Sequence, residues 1–241
     1  MDIDITIVAG RRPDLLARTL ESFSQNAFRF HNVVQVYANI DPIFGSAEDQ
    51  EQCIALLNQH FNAPVIFTPE TAGFGAAVQR LWQATTAQYV FHLEDDWIAL
   101  DALDQRVETC FSERVKQVSF HSASQNWDIK KKGHLHRGKK YLKFLGVRLP
   151  LSTFTKFTTS PSILDGKVAR RSASLMNPAF DPEKQFYSNV NKKLETYIAN
   201  FDNYIFSPHA VPVVEDTGRD WRDQRGIQKK IINAASSWVK E

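Results

Sequence analysis

Tyr89-Val90-Phe91-His92-Leu93-Glu94-Asp95-Asp96-Trp97 is an apolar run that stops abruptly at three consecutive acids. β-Branched and aromatic residues followed by Leu predict a buried strand, and the acids at its end crowd several hard oxygens into one small volume. Adjacent carboxylates repel and raise one another's pKa unless a cation or hydrogen-bond donors neutralise them, and an oxygen-only set favours Mg²⁺ or Mn²⁺ over softer metals. The stretch therefore suggests a divalent metal and a phosphorylated ligand. Alternation along extended backbone puts Glu94 and Asp96 on one face and Asp95 on the other, so Glu94 and Asp96 are the expected metal-facing pair. The competing reading is a helix start with Asp95 and Asp96 as caps, but three acids exceed what one cap needs.

Upstream of this stretch, strand and helix patterns alternate. Ile3 to Ala9 reads as a strand, Gly10-Arg11-Arg12-Pro13 as a turn, and Leu16, Leu20 and Phe23 recur at helical spacing. Val33 to Ala38 is a second strand ending in Asn39-Ile40-Asp41-Pro42, followed by a helix through Cys53, Leu56, Leu57 and His60. Val65 to Phe67 is a third strand, and Thr71-Ala72-Gly73-Phe74-Gly75 opens a helix bearing Val78, Leu81 and Trp82. Such alternation predicts an α/β fold: a mostly parallel central sheet, helices on both faces, and ligands at the strands' carboxyl ends. Downstream the pattern predicts a helix around Leu103 to Phe111, a strand at Val118 to His121, and an irregular basic and aromatic segment from Ser122 to Thr159. Further helices are expected from Glu183 to Phe201 and, as a basic amphipathic C-terminal helix, from Ile227 to Trp238.

The 241 residues are 43% hydrophobic and 23% charged with a formal net charge of +2, ordinary values for one globular domain that can bury a full core. No long uncharged apolar run predicts a membrane span, and the acids of Met1-Asp2-Ile3-Asp4-Ile5 stand where an export signal carries bases, so a cytoplasmic location is expected. Cys53 and Cys110 suit buried thiols rather than a disulfide framework. The charge is uneven. Ile129 to Leu164 contains no acid but carries Lys130, Lys131, Lys132, Arg137, Lys139, Lys140, Lys143, Arg148 and Lys156. That stretch suits phosphate, anionic lipid at the inner face of a membrane, or nucleic acid, and equally a solvated loop; the net charge is too small to imply a polyanionic partner by itself, so nucleic acid is the least expected of these.

The order of first strand, Arg-containing turn, second strand ending in Asp, Gly-containing helix start and strand ending in an acidic triplet resembles the GT-A glycosyltransferases, especially the family 2 type, over roughly Asp4 to Ala99 and loosely beyond. The resemblance implies a GT-A-type sheet with C-terminal acceptor-side elements, a nucleotide-diphosphate sugar donor, and Mn²⁺ or Mg²⁺ on an Asp-x-Asp-like motif in which Glu94 replaces the first Asp. It further implies donor contacts at Gly10, Arg11, Asp41, Gly73, Gly75 and Asp95. It places a catalytic base at Asp181 or Glu183, with Glu183 favoured, and gives Arg219 of the Asp216-Thr217-Gly218-Arg219 segment the diphosphate. No His occupies that segment, where the family often carries a metal-binding one, and His209 lies upstream.

The expected division is a donor half, 1–99, an acceptor and catalytic half, 100–222, and the C-terminal helix, 223–241. The acceptor is then a saccharide or glycolipid hydroxyl, as in bacterial surface-glycan assembly, with Trp127, Tyr141 and Phe144 available to stack on sugar rings. A sugar-phosphate nucleotidyltransferase is the enzymatic alternative, disfavoured because Gly10-Arg11-Arg12-Pro13 holds a single glycine. A non-catalytic protein binding anionic polymer or membrane through Lys130 to Lys143 is the other.

Overall fold

The computed structural model describes residues 1–125, 127–144, 147–232 and 234–240, with side chains except at 140, 142–144, 147–151, 229, 231, 236, 237, 239 and 240. β1 (Asp2–Ala9) is buried on both faces: Ile3, Ile5 and Ile7 point one way, Asp4, Thr6 and Val8 the other. Asp4 is tolerated inside because its Oδ2 accepts backbone N–H groups of Thr86 at 2.5 Å and Ala87 at 2.8 Å.

α1 (Pro13–Asn26) starts on Pro13, whose fixed φ suits a first turn, and buries Leu16, Leu20 and Phe23. β2 (Asn32–Ile40) and α2 (Ala47–His60) follow, the helix opened by a Ser46–Asp49 capping box. β3 (Val65–Phe67), α3 (Phe74–Ala84), β4 (Tyr89–Glu94) and β5 (Trp97–Ala99) complete the N-terminal half. The second half runs β6 (Val115–Phe120), α4 (Ile129–Lys132), β7 (Arg137–Phe144), β8 (Val147–Thr155), β9 (Ser162–Asp165) and α5 (Gly166–Leu175). It ends with α6 (Lys192–Ile198), β10 (Asp202–Phe206), β11 (Val214–Asp216), α7 (Gly218–Asp223), β12 (Ile227–Ile232) and β13 (Ala235–Lys240).

Among the described residues, seven strands form the central sheet in the order β10-β6-β9-β4-β1-β2-β3, parallel except for β9, which runs against both neighbours. One core packs α1 and α2 on the face carrying Ile3, Ile5, Ile7, Phe91 and Leu93. A second packs α3, α5 and α6 on the face carrying Val8, Val90 and Leu164. Helices therefore cover both faces, as the alternating pattern predicts. No helix among the described residues is long and apolar enough to cross a membrane.

The second half departs from expectation in four places. The C-terminal helix expected within 223–241 is instead the antiparallel hairpin β12–β13 after the short α7. Its Ile, Val, Trp and Ser residues are middling helix formers and the aliphatic and aromatic ones suit strands, while the apolar spacing read as helical was too short to discriminate. The expected 183–201 helix is a 3₁₀ turn, Glu183–Phe186, then a break at Asn189 (φ 58°) and a restart at α6, capped by Asn191. The segment around Val107 is a 3₁₀ turn, Gln105–Cys110. Most of the irregular 122–159 segment is α4 and the hairpin β7–β8, while β9 and α5 arise from a stretch in which no element was predicted.

Candidate active site

β1, β2 and β4 run parallel, so their carboxyl ends open on one edge of the sheet, where the loops after them frame a cavity of about 370 Å³. Gly10 and Arg12 come from the first loop, Asp41 and Phe44 from the second, Glu94 from the end of β4, and Asp95 and Asp96 from the turn after it. The far wall is Thr159, Ser160, Asp181, Glu183 and Lys184, and the C-terminal elements add Asp216, Arg222 and Trp238.

The floor is a buried ion network. Arg12, 6% exposed, donates from Nη2 to Asp95 Oδ1 and, at 3.1 Å, to Asp96 Oδ2, while its Nε reaches Asp95 Oδ2 at 3.1 Å. Gly10 N–H also donates to Asp95 Oδ2 at 2.9 Å. Burial opposes the charge on Arg12, but Asp95 and Asp96 outweigh it and raise its pKa. Burial likewise pushes Asp95 up, with Arg12 and the Gly10 amide pulling it back. The rings of Phe44 and Trp221 lie 5.0 and 5.3 Å from the Arg12 guanidinium carbon, shielding these charges from water. Arg222 reaches Asp96 Oδ2 at 3.4 Å and stacks over Trp238, 5.3 Å from the ring centre.

This geometry corrects the alternation argument. β4 ends at Glu94, Asp95 and Asp96 occupy a turn, and both turn onto Arg12 instead of facing opposite ways. Asp41 lies where expected: its oxygens accept from Asn39 Nδ2 at 2.7 Å and Gly73 N–H at 2.9 Å, and burial raises its pKa against those donors. Gly73 lines the cavity; Gly75 does not, and a Cβ there would stand 2.2 Å from the Phe180 carbonyl oxygen, so its role is close packing. Arg11 also lies outside the lining, with Nε and Nη2 on Gln50 Oε1 at 3.2 and 3.0 Å.

Arg219 is exposed and outside the lining, whereas Arg222, about one helical turn further along, lines the cavity. Asp181 and Glu183 both line the cavity. Glu183 accepts from the Tyr187 hydroxyl and, at 3.0 Å, from the Thr158 hydroxyl, and Asp181 accepts from the Lys184 N–H at 3.1 Å. Trp127 and Tyr141 lie outside the lining, and the side chain of Phe144 lies outside the described residues.

Sequence reasoning missed Arg12, Lys184, Asp216 and Arg222 as site residues. Pro13, which fixes the start of α1, was the available signal that Arg12, the residue preceding the helix, is held in place. Asp216 has no such local signal: pairing of β11 with β5 sets it opposite Trp97, next to Asp96. Burial and then the Asp96 charge raise its pKa. Among the described residues no three His, Cys, Asp or Glu side chains converge as a ready-made metal cage. Asp96 and Asp216 both line the cavity, near enough for the Asp96 charge to raise the Asp216 pKa, and a hard divalent cation can be held by one or two carboxylates with phosphate oxygens and water completing its shell.

The sheet order, with helices on both faces and the cavity at its carboxyl edge, is that of a GT-A-type fold. The mannosyltransferase PcManGT from Pyrobaculum calidifontis, solved with GDP-Man and Mn²⁺, superposes with a TM-score of 0.61 at 10% identity over 93% of this chain and 60% of that one. S. aureus TarS 1-349 in complex with UDP gives 0.56 at 12% identity over 92% and 63%, and its UDP-GlcNAc complex gives 0.55 at 11% over 89% and 58%. This chain thus spans under two thirds of the length of these structures. No protein-family model matches the sequence, and no curated protein matches it.

Proposed function

We propose that the protein is a metal-dependent glycosyltransferase that moves a sugar from a nucleotide-diphosphate donor to a saccharide or glycolipid hydroxyl with inversion, as in surface-glycan assembly. The observation that carries this reading is the joining of anion-binding and cation-binding groups in one cavity at the sheet's carboxyl edge: Arg12, Lys184 and Arg222 beside Glu94, Asp96 and Asp216. The likeness to PcManGT, whose structure holds GDP-Man and Mn²⁺, supports it.

Asp41 and the Gly73 backbone suit a base or ribose, since a carboxylate held by neutral donors still has lone pairs for a ligand N–H or O–H. Asp96 with Asp216 or Glu94 would hold the Mn²⁺ or Mg²⁺, which supplies charge stabilisation to a departing diphosphate. Arg222 adds a planar donor fork to the same group. Glu183 is the proposed proton acceptor. Tyr187 and Thr158 fix its carboxylate by donating to opposite oxygens, leaving lone pairs for an acceptor hydroxyl.

Thermal shift with UDP, GDP, CDP and TDP, each with and without Mn²⁺, tests the reading. One diphosphate should stabilise the protein by about 2.7 kcal/mol at a hundred times its Kd, and more weakly without metal. Asp96→Asn should abolish the metal increment and metal-dependent hydrolysis of the matching nucleotide sugar. No stabilisation by any diphosphate sinks the proposal.

A further inference from the structure

Outside the cavity, α4 and the hairpin β7–β8 belong to a stretch of one-sided charge. The 129–164 segment carries nine Lys and Arg and no acid. Lys130, Lys132 and Lys139 are exposed, and Lys131, 84% exposed, pairs with Asp128 at 3.6 Å. Exposed apolar residues lie among them: Leu135 at 38% and Tyr141 at 51%. Among the described strands β7 and β8 pair only with each other, so the hairpin stands off the central sheet. In sequence, residues 142–149 read Leu142-Lys143-Phe144-Leu145-Gly146-Val147-Arg148-Leu149, five large apolar residues with two bases.

The hairpin's base is tied to the cavity wall. Phe154 packs on Tyr187 with ring centres 5.7 Å apart, Lys156 lies 5.6 Å from the centre of the same ring, and the Tyr187 hydroxyl donates to Glu183. Gly138 permits this, because a Cβ there would stand 2.1 Å from the Phe154 ring in the facing strand. Next to it, Lys132 stacks on Trp127 at 4.9 Å, and Trp127 meets His136 at 5.0 Å. A cationic, partly apolar surface thus runs up to the Glu183 side of the cavity.

We infer that α4 and β7–β8 dock the protein on a bilayer carrying anionic phospholipid, with the Glu183 wall facing the membrane. Lysines supply attraction to the headgroups, and exposed aliphatic and aromatic side chains supply the apolar contact that a soluble anionic polymer would not reward. Binding of this kind needs no nucleotide or metal, so it is separable from the chemistry at the cavity.

Flotation of the full chain with phosphatidylcholine vesicles containing about 30% phosphatidylglycerol, and with phosphatidylcholine alone, tests it. Binding to the anionic vesicles is expected, with little to the neutral ones and release in about 0.5 M NaCl. Simultaneous replacement of Lys130, Lys131, Lys132 and Lys139 by Ser should weaken it by roughly a hundred- to a thousandfold, and Tyr141→Ser severalfold. Unchanged thermal unfolding would show that both variants fold. Equal binding to neutral vesicles, undiminished binding by the lysine variant, or retention on heparin with no vesicle binding would each overturn the inference, the last in favour of a polymer partner.

Discussion

The two walls of the cavity are built differently. One wall, from Gly10, Asp41, Gly73 and Asp96, comes from the loops after four adjacent parallel strands, β1 to β4, the first three of which each lead into a packed helix. The opposite wall comes from the loop before β9 (Thr159, Ser160), the 3₁₀ turn and the residues before it (Asp181, Glu183, Lys184), β11 (Asp216), α7 (Arg222) and the C-terminal hairpin (Trp238). A strand end inherits its position from the sheet's hydrogen bonds. The second wall leans on side-chain contacts: Tyr187 and Thr158 on Glu183, Arg222 on Asp96, and Trp238 against Phe44 with ring centres 5.2 Å apart. The backbone adds the short β11–β5 pairing and bonds from the Thr217 N–H to the Asp96 carbonyl at 2.9 Å and from the Asp181 N–H to the Ala234 carbonyl at 2.7 Å. Substitutions on the first side should therefore strike stability and binding together, and those on the second should separate them.

Glu183→Gln gives the largest expected effect. Losing a general base costs on the order of a hundred- to ten-thousandfold in kcat, with donor binding and thermal unfolding near normal. Asp181→Asn should slow transfer far less; if single-turnover assays find it the dead variant, the base is misassigned. Arg12→Met tests the other wall. It leaves Asp95 buried without its cation, which typically costs roughly 3–5 kcal/mol, so denaturant unfolding should show a large loss along with loss of nucleotide binding. A variant of near-normal stability would mean that the floor is not a single network.

Arg222→Gln comes next. A charge-assisted bond to a diphosphate contributes about 1.5–3 kcal/mol, so donor affinity measured calorimetrically should fall roughly ten- to a hundredfold, while Arg219→Gln should stay near wild type. Equal losses would erase the distinction between the two arginines. The smallest effect concerns acid. Burial lowers the pKa of His92 to about 3, where its Nδ1 accepts from Trp82 Nε1 at 3.1 Å, and burial, then Lys156 and Lys132, lower His136 to about 3. Both bind fewer protons folded than unfolded. Their contribution to stability is complete above the ordinary histidine range and is lost as pH falls towards 3, at up to about 1.4 kcal/mol per pH unit for each. Melts between pH 7 and 4 should show this slope, shallower in His92→Gln. A flat profile contradicts it.

Local sequence was a good guide where local signals decide structure. β1 through β4 and their helices follow from apolar periodicity, Pro13 at a helix start and turn residues at strand ends, and Asp41, Gly73, Glu94 and Asp96 follow as the residues those strands deliver to the cavity. The chain by itself thus determined an α/β sheet with an acidic carboxyl edge, together with the uneven placement of its bases. Only the tertiary structure decided which arginine lines the cavity. Arg11 and Arg12 are adjacent, and Arg219 and Arg222 share a turn, yet burial against Asp95 and pairing of β11 with β5 select Arg12 and Arg222. The same holds for the hairpin at 227–240, whose spacing is compatible with helix or strand until partners are present. Periodicity records which side chains want to leave water. It does not record which distant segment will receive them, and the second wall of this cavity is made of such encounters.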